Sequence, residues 1–184
     1  MARNIEIKAR IDSVEGLASK VVALADEGPI DITQDDTFFR CETGRLKLRV
    51  FADGNGELIF YRRPNQLGPK ESFYVRSPTS APESLRESLS LAYGQVGRVK
   101  KHRTLFLVGR TRVHLDEVDR LGYFLELEVV LDDDESADAG VLEARGLMNK
   151  LGVSQDELIE DAYIDILMRG GADTIDAVTS RDYR

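Results

Sequence analysis

Several charged residues in this sequence alternate with apolar ones, a spacing that can bring like side chains together. Glu126 and Glu128 alternate within "FLELEVV", and Glu6 and Lys8 alternate within "NIEIKAR". Residues two apart project from the same face of a β-strand, whereas on a helix they point in nearly opposite directions. Carboxylates paired in this way on a strand can share a divalent cation that prefers oxygen ligands.

Basic residues show the same alternation. In "RLKLRV", Arg45, Lys47 and Arg49 share one strand face. That face turns either to water, as is usual for a half-buried strand, or to a bound anion. Similar polar faces recur on other strands, for example Lys101 with Arg103 in "VKKHRT". Their recurrence favours a shared charged interior over a set of separate solvated faces.

The predicted charged faces carry more positive than negative charge. Eight residues are basic: Lys8, Arg45, Lys47, Arg49, Arg62, Lys101, Arg103 and Arg112. Four are acidic: Glu6, Asp116, Glu126 and Glu128. This excess of four positive charges occurs in a chain whose net charge is −8. Crowded cations need neutralisation, which a compact polyphosphate anion would provide, while the carboxylates suit Mg²⁺ or Mn²⁺.

The elements that must position these residues are strands with short connections, followed or interrupted by helices. Strands are predicted at about 5–11, 31–40, 44–51, 57–63, 70–76, 96–108, 110–118 and 122–131. Helices are predicted at 12–28, 78–94 and 136–151, with a last helix that begins near Ser154. Charged faces inside and apolar faces beneath helices predict an α+β fold built on a closed, eight-stranded antiparallel β-barrel.

Length and composition limit the possible domain organisation, location and binding partners. The chain suits one domain over residues 1–169, with a flexible polar tail over 170–184. It has no apolar run long enough to span a membrane, and its acidic balance argues against general binding of nucleic acid or anionic membrane. The single cysteine, Cys41, fits a cytoplasmic protein, and two histidines argue against a zinc site. The sequence leaves open whether the protein forms a homodimer.

In their order along the chain, these motifs resemble the CYTH superfamily, named for class IV adenylate cyclases and mammalian thiamine triphosphatases. "NIEIK" is similar to the E-x-E-x-K signature of that family. The resemblance continues through "RLKLR", Arg62 before Pro64, "VKKHR" and "RVHLDEVDRLGYFLELE", and ends at "EDAYIDILM", so that it covers about residues 3–168. It implies a triphosphate tunnel, an eight-stranded antiparallel barrel that is charged inside and braced by helices.

The resemblance also implies roles for individual residues. It implies that the eight cations grip phosphates, with Lys70 as a looser match. It implies a Mg²⁺ or Mn²⁺ site formed by carboxylates, with Asp116 as a supporter: Glu6, Glu126, Glu128 and Asp116. Asn4 departs from the family pattern, because it stands where the first glutamate is expected and an amide brings no charge. His114 is interpreted as a wall residue rather than a ligand, and no residue is predicted to be the catalytic base.

Three functions remain open for a small-molecule triphosphate partner such as ATP or tripolyphosphate. A cyclase would convert ATP to cyclic AMP and pyrophosphate. A phosphohydrolase would cleave tripolyphosphate, thiamine triphosphate or a nucleotide. A non-catalytic module would only bind polyphosphate. "NIEIKAR" and "PNQLGPKES" resemble the class IV cyclase branch more than the E-x-E-R-K-F form of many tripolyphosphatases, so cyclase-like activity is the leading prediction.

Overall fold

A computed structural model of the protein describes residues 2–175. Within this range, eight strands close into one barrel: β1 Ala2–Ile11, β2 Glu27–Phe39, β3 Arg45–Phe51, β4 Gly56–Arg62, β5 Lys70–Thr79, β6 Gln95–Val108, β7 Thr111–Val118 and β8 Gly122–Leu131. The helices are α1 Val14–Val22, α2 Pro82–Tyr93, α3 Ala137–Leu151 and α4 Tyr163–Ile175. No helix in this part of the chain has the length and apolar character that crossing a membrane requires.

The strands follow the order β1-β5-β4-β3-β2-β6-β7-β8 around the barrel, and each neighbouring pair is antiparallel. The largest apolar core lies outside the barrel, where α1 and α3 cover the outer faces of β1, β7 and β8. Ile7, Leu115 and Leu127 are fully buried there. The predicted barrel, with apolar residues beneath helices and charged residues inside, is confirmed.

Helix α3 lies close against the barrel. Its N-terminus is capped by Ser136, and it is followed by Gly152, whose φ of 75° is a left-handed conformation that glycine adopts readily. A Cβ atom at Gly140 would lie 2.7 Å from a side-chain carbon of Ile5. The absence of a side chain at that position therefore allows α3 to approach β1, which carries part of the charged interior.

Helix α1 is shorter than the sequence predicted. It ends at Val22, and β2 begins at Glu27, whereas the helix was expected to reach residue 28 and the strand to begin at 31. The N–H group of Asp26 donates to the carbonyl of Leu107, 2.8 Å away, and Glu27 pairs with the same residue. The backbone of this segment is thus engaged by β6 and is not available for further helical turns.

The prediction of a helix beginning near Ser154 is wrong. Residues Gln155–Glu157 form only a short 3-10 helix, and α4 begins at Tyr163. Between them, Leu158 forms an antiparallel bridge with Ala9, and the N–H of Ile159 donates to the carbonyl of Lys8, 3.0 Å away. Helix α4 then continues past the predicted boundary at residue 169, and the predicted tail beyond 175 lies outside the described residues.

Candidate functional site

The barrel encloses a cavity of about 270 Å³. Inward-facing side chains of the strands line it, together with Ala162 and Tyr163 at the start of α4. The lining side chains differ in exposure: Lys101, whose ammonium group lies 5.1 Å from the ring centroid of Tyr163, is 4% exposed, whereas Arg76 is 53% exposed. We therefore refer to the closed end of the cavity, next to Tyr163, and to the open end, next to Arg76.

The structure brings most of the predicted phosphate-binding cations together. Six of the eight line the cavity: Lys8, Lys47, Arg49, Lys101, Arg103 and Arg112. Two further cations that sequence reasoning missed, Arg63 and Arg76, also line it. Among the described lining residues, eight are basic and five are acidic, so the excess of positive charge is three rather than the predicted four. Such an excess in a partly buried cavity favours a multiply charged anion.

Arg62 does not face this cavity. On β4 the inward residues are Glu57, Ile59 and Tyr61, because Glu57 pairs with the inward-facing Arg49 of β3. Arg62 therefore projects from the opposite face, where its guanidinium lies 5.6 Å from the ring centroids of two phenylalanines. The sequence-based prediction therefore placed the wrong face of β4 towards the interior. Arg63, the residue after Arg62, lies in the inward position.

Arg45 and Lys70 also differ from the prediction. The guanidinium of Arg45 forms an ion pair of 2.6 Å with Asp165 of α4, and Arg45 borders a second pocket that shares Tyr61 and Arg63 with the cavity. The ammonium group of Lys70 donates to three backbone carbonyls, those of Gln66, Ile159 and Glu160. Both side chains therefore hold the segment around the start of α4 in place, because chain groups already occupy their hydrogen-bonding positions.

At the closed end, Asp116 holds two cations in fixed positions. It is fully buried and accepts hydrogen bonds from Lys101 at 2.9 Å and from Arg103 at 2.7 Å. The hydroxyl of Tyr163 donates to the same carboxylate at 3.0 Å. Asp116 is not among the residues that line the cavity, and its role as a metal supporter stays a prediction. Its oxygens are instead engaged in positioning Lys101 and Arg103.

Asp36 is a cavity residue that sequence reasoning missed. It is buried, and its carboxylate lies 2.7 Å from Lys47 and 2.8 Å from Arg49. Gln34 and Asp36 share the inward face of β2, whereas Asp35 pairs with Arg98 on the outer face. The alternation of these residues could have revealed the inward carboxylate, but the phase of β2 is obscured by adjacent aspartates in "QDDT".

Burial and neighbouring charge change the acidity of several groups in the cavity. Burial lowers the pKa of Lys47 to about 8, and the positive charge of Arg49 acts in the same direction. Burial opposes ionisation of Asp116, but the charges of Arg103 and Lys101 outweigh it and hold the pKa of Asp116 well below its ordinary value. Burial, supported by the positive charge of Arg103, lowers the pKa of His114 and thus favours the neutral imidazole.

Two of the predicted metal-binding carboxylates lie together. Among the described residues, one group of three brings potential metal ligands within 4.8 Å of one another: His114, Glu126 and Glu128. Glu126 also pairs with Lys8 at 2.9 Å and with Arg103, and Glu128 pairs with Arg112 at 2.9 Å. Glu6 lies opposite Glu128 in the strand register, but its carboxylate is 3.5 Å from Arg63.

The donor set fits a divalent cation. Glu126, which is buried, and Glu128, which is partly buried, supply charge, and the Nδ1 atom of His114 is buried without a hydrogen-bond partner. Asn4, which stands in place of the expected glutamate, also lines the cavity, and its side-chain oxygen is likewise buried without a partner. An amide oxygen can contribute a weak ligand but no charge. The site therefore offers oxygen and nitrogen donors of low total negative charge.

Comparisons with known proteins agree with this architecture. The model of the family described as CYTH domain matches residues 2–163. The chain is 25% identical over 170 residues to adenylate cyclase CyaB of Aeromonas hydrophila, covering 86% of this chain and 85% of that protein. The structure of PH1012 from Pyrococcus horikoshii OT3 aligns with a TM-score of 0.78 at 22% identity, covering 88% of this chain and 98% of PH1012. HpAC1 from Hippeastrum, described as having a dominant triphosphatase activity, aligns with a TM-score of 0.61 at 19% identity, covering 91% of this chain and 96% of HpAC1.

Proposed function

Because this chain belongs to the CYTH domain family, we propose that it is a divalent-metal-dependent enzyme that acts on triphosphate compounds. The observation that carries the proposal is the cavity with a closed end, in which eight basic side chains face only five carboxylates. A triphosphate neutralises the excess positive charge, and each added phosphate group increases the attraction. A monophosphate carries at most about two negative charges and would leave part of that charge unbalanced.

In this proposal different cations bind different phosphate groups of the substrate. Lys101 and Arg103, which Asp116 holds rigidly at the closed end, would contact the phosphates that enter deepest. Arg49 would bind nearer the middle of the cavity, since its guanidinium can exchange its bonds to Asp36 for bonds to phosphate oxygens. Tyr163, which lines this end of the cavity, would exclude water from the deepest phosphate.

The acidic residues would hold the metal. Glu126 and Glu128 project from one strand and already lie within reach of a common ion, and Glu6 faces Glu128 from the neighbouring strand. A bound Mg²⁺ or Mn²⁺ would neutralise phosphate charge and activate the attacking oxygen. The cations that now pair with these carboxylates, Lys8 and Arg112, would then be free to turn towards the substrate.

Adenylate cyclase chemistry is the leading form of the proposal, since the relative from Aeromonas carries that name. In that reaction the ribose 3′-oxygen loses its proton to a base and attacks the α-phosphate, and pyrophosphate leaves with the bonding electrons. Lys101 and Arg103 are positioned to stabilise the negative charge that develops on a pyrophosphate at the closed end.

Triphosphate hydrolysis is the second candidate, and the size and charge of the cavity favour it. A cavity of about 270 Å³ with eight basic lining side chains is suited to phosphates, and the organic part of a nucleotide would have to lie against apolar lining residues such as Phe51. Hydrolysis requires only that the phosphates enter. Water would attack the terminal phosphorus, and the remaining diphosphate would leave.

The products distinguish these reactions. Purified protein would be incubated with Mg²⁺ or Mn²⁺ and, separately, with ATP, tripolyphosphate or thiamine triphosphate, and the products separated by chromatography. Cyclic AMP and pyrophosphate indicate a cyclase, whereas orthophosphate indicates a hydrolase. Tight binding of triphosphate without turnover under any of these conditions would refute enzymatic activity and leave a polyphosphate-binding module.

A further inference from the structure

His114 is a buried polar residue with a ring nitrogen that lacks a hydrogen-bond partner. It lies on the inward face of β7, is only 4% exposed, and its Nδ1 atom is buried without a hydrogen-bond partner. The nearest carboxylate oxygens are those of Glu126 at 3.7 Å and Glu128 at 3.9 Å, which is too far for a hydrogen bond. Buried nitrogen atoms without partners are uncommon, and this one is directed at two acids.

Two of the three separations within this group match the coordination of a metal ion. Two ligand atoms that each lie about 2.1 Å from one ion are separated by about 3.0 to 4.2 Å. The distances from His114 to the two carboxylates fall within this interval. The oxygen of Glu128 nearer His114 is not the one that pairs with Arg112, whereas the oxygen of Glu126 nearer His114 is the one that pairs with Arg103. Coordination through that atom therefore requires Glu126 to exchange its ion pair with Arg103 for the metal.

We propose that His114 is a direct metal ligand and that its imidazole makes the site select a first-row transition-metal dication over Mg²⁺. The inference rests on the proposed function, because the same carboxylates would hold the metal for catalysis. It differs from the sequence-based interpretation of His114 as a wall residue. It also adds a nitrogen donor to the set of oxygen ligands expected from sequence.

Two features of the ligand set both favour a transition metal over Mg²⁺. Asn4 replaces a charged oxygen donor by a neutral amide, which weakens the site for Mg²⁺ because that ion depends on hard, anionic oxygens. His114 supplies an imidazole, which suits transition metals better than Mg²⁺. Together they replace an all-carboxylate ligand set by a mixed nitrogen and oxygen set of lower charge. The affinity of such a set for different dications follows the usual order of stability of first-row transition-metal complexes more closely.

The ligation can be tested by spectroscopy without any reaction. The chain has two histidines, and the other one, His102, is exposed on the outer face of β6 near Asp31. The full-length His102→Gln protein would be loaded with Mn²⁺ in the absence of triphosphate and studied by electron spin echo envelope modulation. We expect modulation from a directly bound ¹⁴N nucleus, replaced by a ¹⁵N pattern when histidine alone is labelled. Bound Mn²⁺ without histidine nitrogen coupling would overturn the proposal, and this result does not depend on whether a His114 variant folds.

Selectivity provides the second readout. By calorimetry, His114→Gln should weaken Mn²⁺ binding by about 10-fold to 100-fold while Mg²⁺ binding changes by less than about threefold. His102→Gln is the matched control and should leave both affinities unchanged. Equal losses for the two metals, or no loss for either, would contradict the selectivity.

The two proposals fail in different ways. Histidine coupling to Mn²⁺ in a protein that turns over no triphosphate would refute the proposed function and support the ligand role of His114. Turnover with Mg²⁺ and Mn²⁺ that His114→Gln leaves unaltered, without nitrogen coupling in the His102→Gln protein, would refute the ligand role and support the proposed function. A comparison of the same protein samples in both assays therefore separates them.

Discussion

The closed and open ends of the cavity contain similar residue types but differ in how their charges are paired. At the closed end, Asp116 binds Lys101, Arg103 and Tyr163 within 3.0 Å, and all four side chains are buried. At the open end, the corresponding pair is Glu57 with Arg76, 3.8 Å apart and partly exposed. One end is a rigid network, whereas the other is a loose pair in contact with water.

This difference predicts different roles for the two ends of the cavity. Fixed cations at the closed end need little rearrangement when an anion arrives, and electrostatic effects are larger there because water is largely excluded. The exposed charges at the open end are screened by solvent and can attract ligands before they bind. Substitutions at the closed end should therefore affect folding and chemistry, while those at the open end should have small effects.

The largest expected difference concerns stability. Asp116→Asn would leave Lys101 and Arg103 buried without their counter-charge, and breaking a buried charge network costs about 3–5 kcal/mol. Glu57→Gln at the open end should cost about 0–1 kcal/mol, because its ion pair is long and solvated. Urea unfolding measures both free energies. Similar losses at the two positions would disprove the contrast between a rigid and a loose end.

The next effect separates metal binding from phosphate binding. Glu128→Gln keeps the size of the side chain but removes an anionic ligand from the group near His114, so metal-dependent turnover should fall by about 100-fold or more. Triphosphate affinity in the absence of metal should not fall, because the deep cations are unaltered and the substitution releases Arg112 from its ion pair. Glu117→Gln, on the exposed face of β7, is the control and should leave both quantities unchanged. Unaltered turnover in Glu128→Gln would exclude this carboxylate from the metal site.

A smaller effect is expected when single cations are removed. Arg49→Ala should weaken triphosphate binding by about 1.5–3 kcal/mol, the usual contribution of a charge-assisted hydrogen bond. Arg76→Ala should cost less, since that side chain is 53% exposed, and Arg62→Ala should cost nothing, since it lies outside the cavity. Calorimetry with tripolyphosphate at fixed ionic strength gives the three values. A loss in Arg62→Ala equal to that in Arg49→Ala would mean that phosphate binds outside the barrel.

The barrel could be predicted from the sequence because strand alternation is a local property. Alternation reveals which residues share a face, so the pairs Glu6 with Lys8 and Glu126 with Glu128 follow from the order of residues alone, and all four line the cavity. The phase of a strand relative to its neighbours depends on pairing, and pairing is a long-range property. Arg62 was assigned to the interior for this reason, since only the pairing of Glu57 with Arg49 fixes the phase of β4.

The closed end was the least predictable part of the site. Tyr163 reaches Asp116 from a helix 47 residues later in the chain, and no periodic pattern reports such a contact. The interrupted helix before it was missed because the sequence from Ser154 has good helix-forming residues, yet its backbone bonds to β1 instead. Tertiary hydrogen bonds overrode local propensity at this position. Asp116 was recognised as a site residue, but its role in holding cations depends on partners that are distant in the sequence.

The smallest expected effect is a pH dependence of triphosphate affinity that is caused by Lys47. Burial and the charge of Arg49 hold the pKa of Lys47 at about 8 in the unliganded protein. Above that pH, Lys47 is mostly neutral, so binding of a triphosphate must be accompanied by uptake of a proton. The affinity should then fall with rising pH, by at most about tenfold per unit from this one group. Lys47→Arg remains charged throughout this range.

The ratio of wild-type affinity to Lys47→Arg affinity is therefore the informative quantity, since titration of the ligand and of every other side chain affects both proteins alike. We expect this ratio to be constant below about pH 7 and to decrease between about pH 8 and 10, because only the wild type loses a positive charge there. Calorimetry with tripolyphosphate at a series of pH values measures it. A ratio that stays constant up to pH 10 would mean that Lys47 remains protonated or does not contact the anion. The excess positive charge that attracts triphosphate would then have to come from the two ends of the cavity alone.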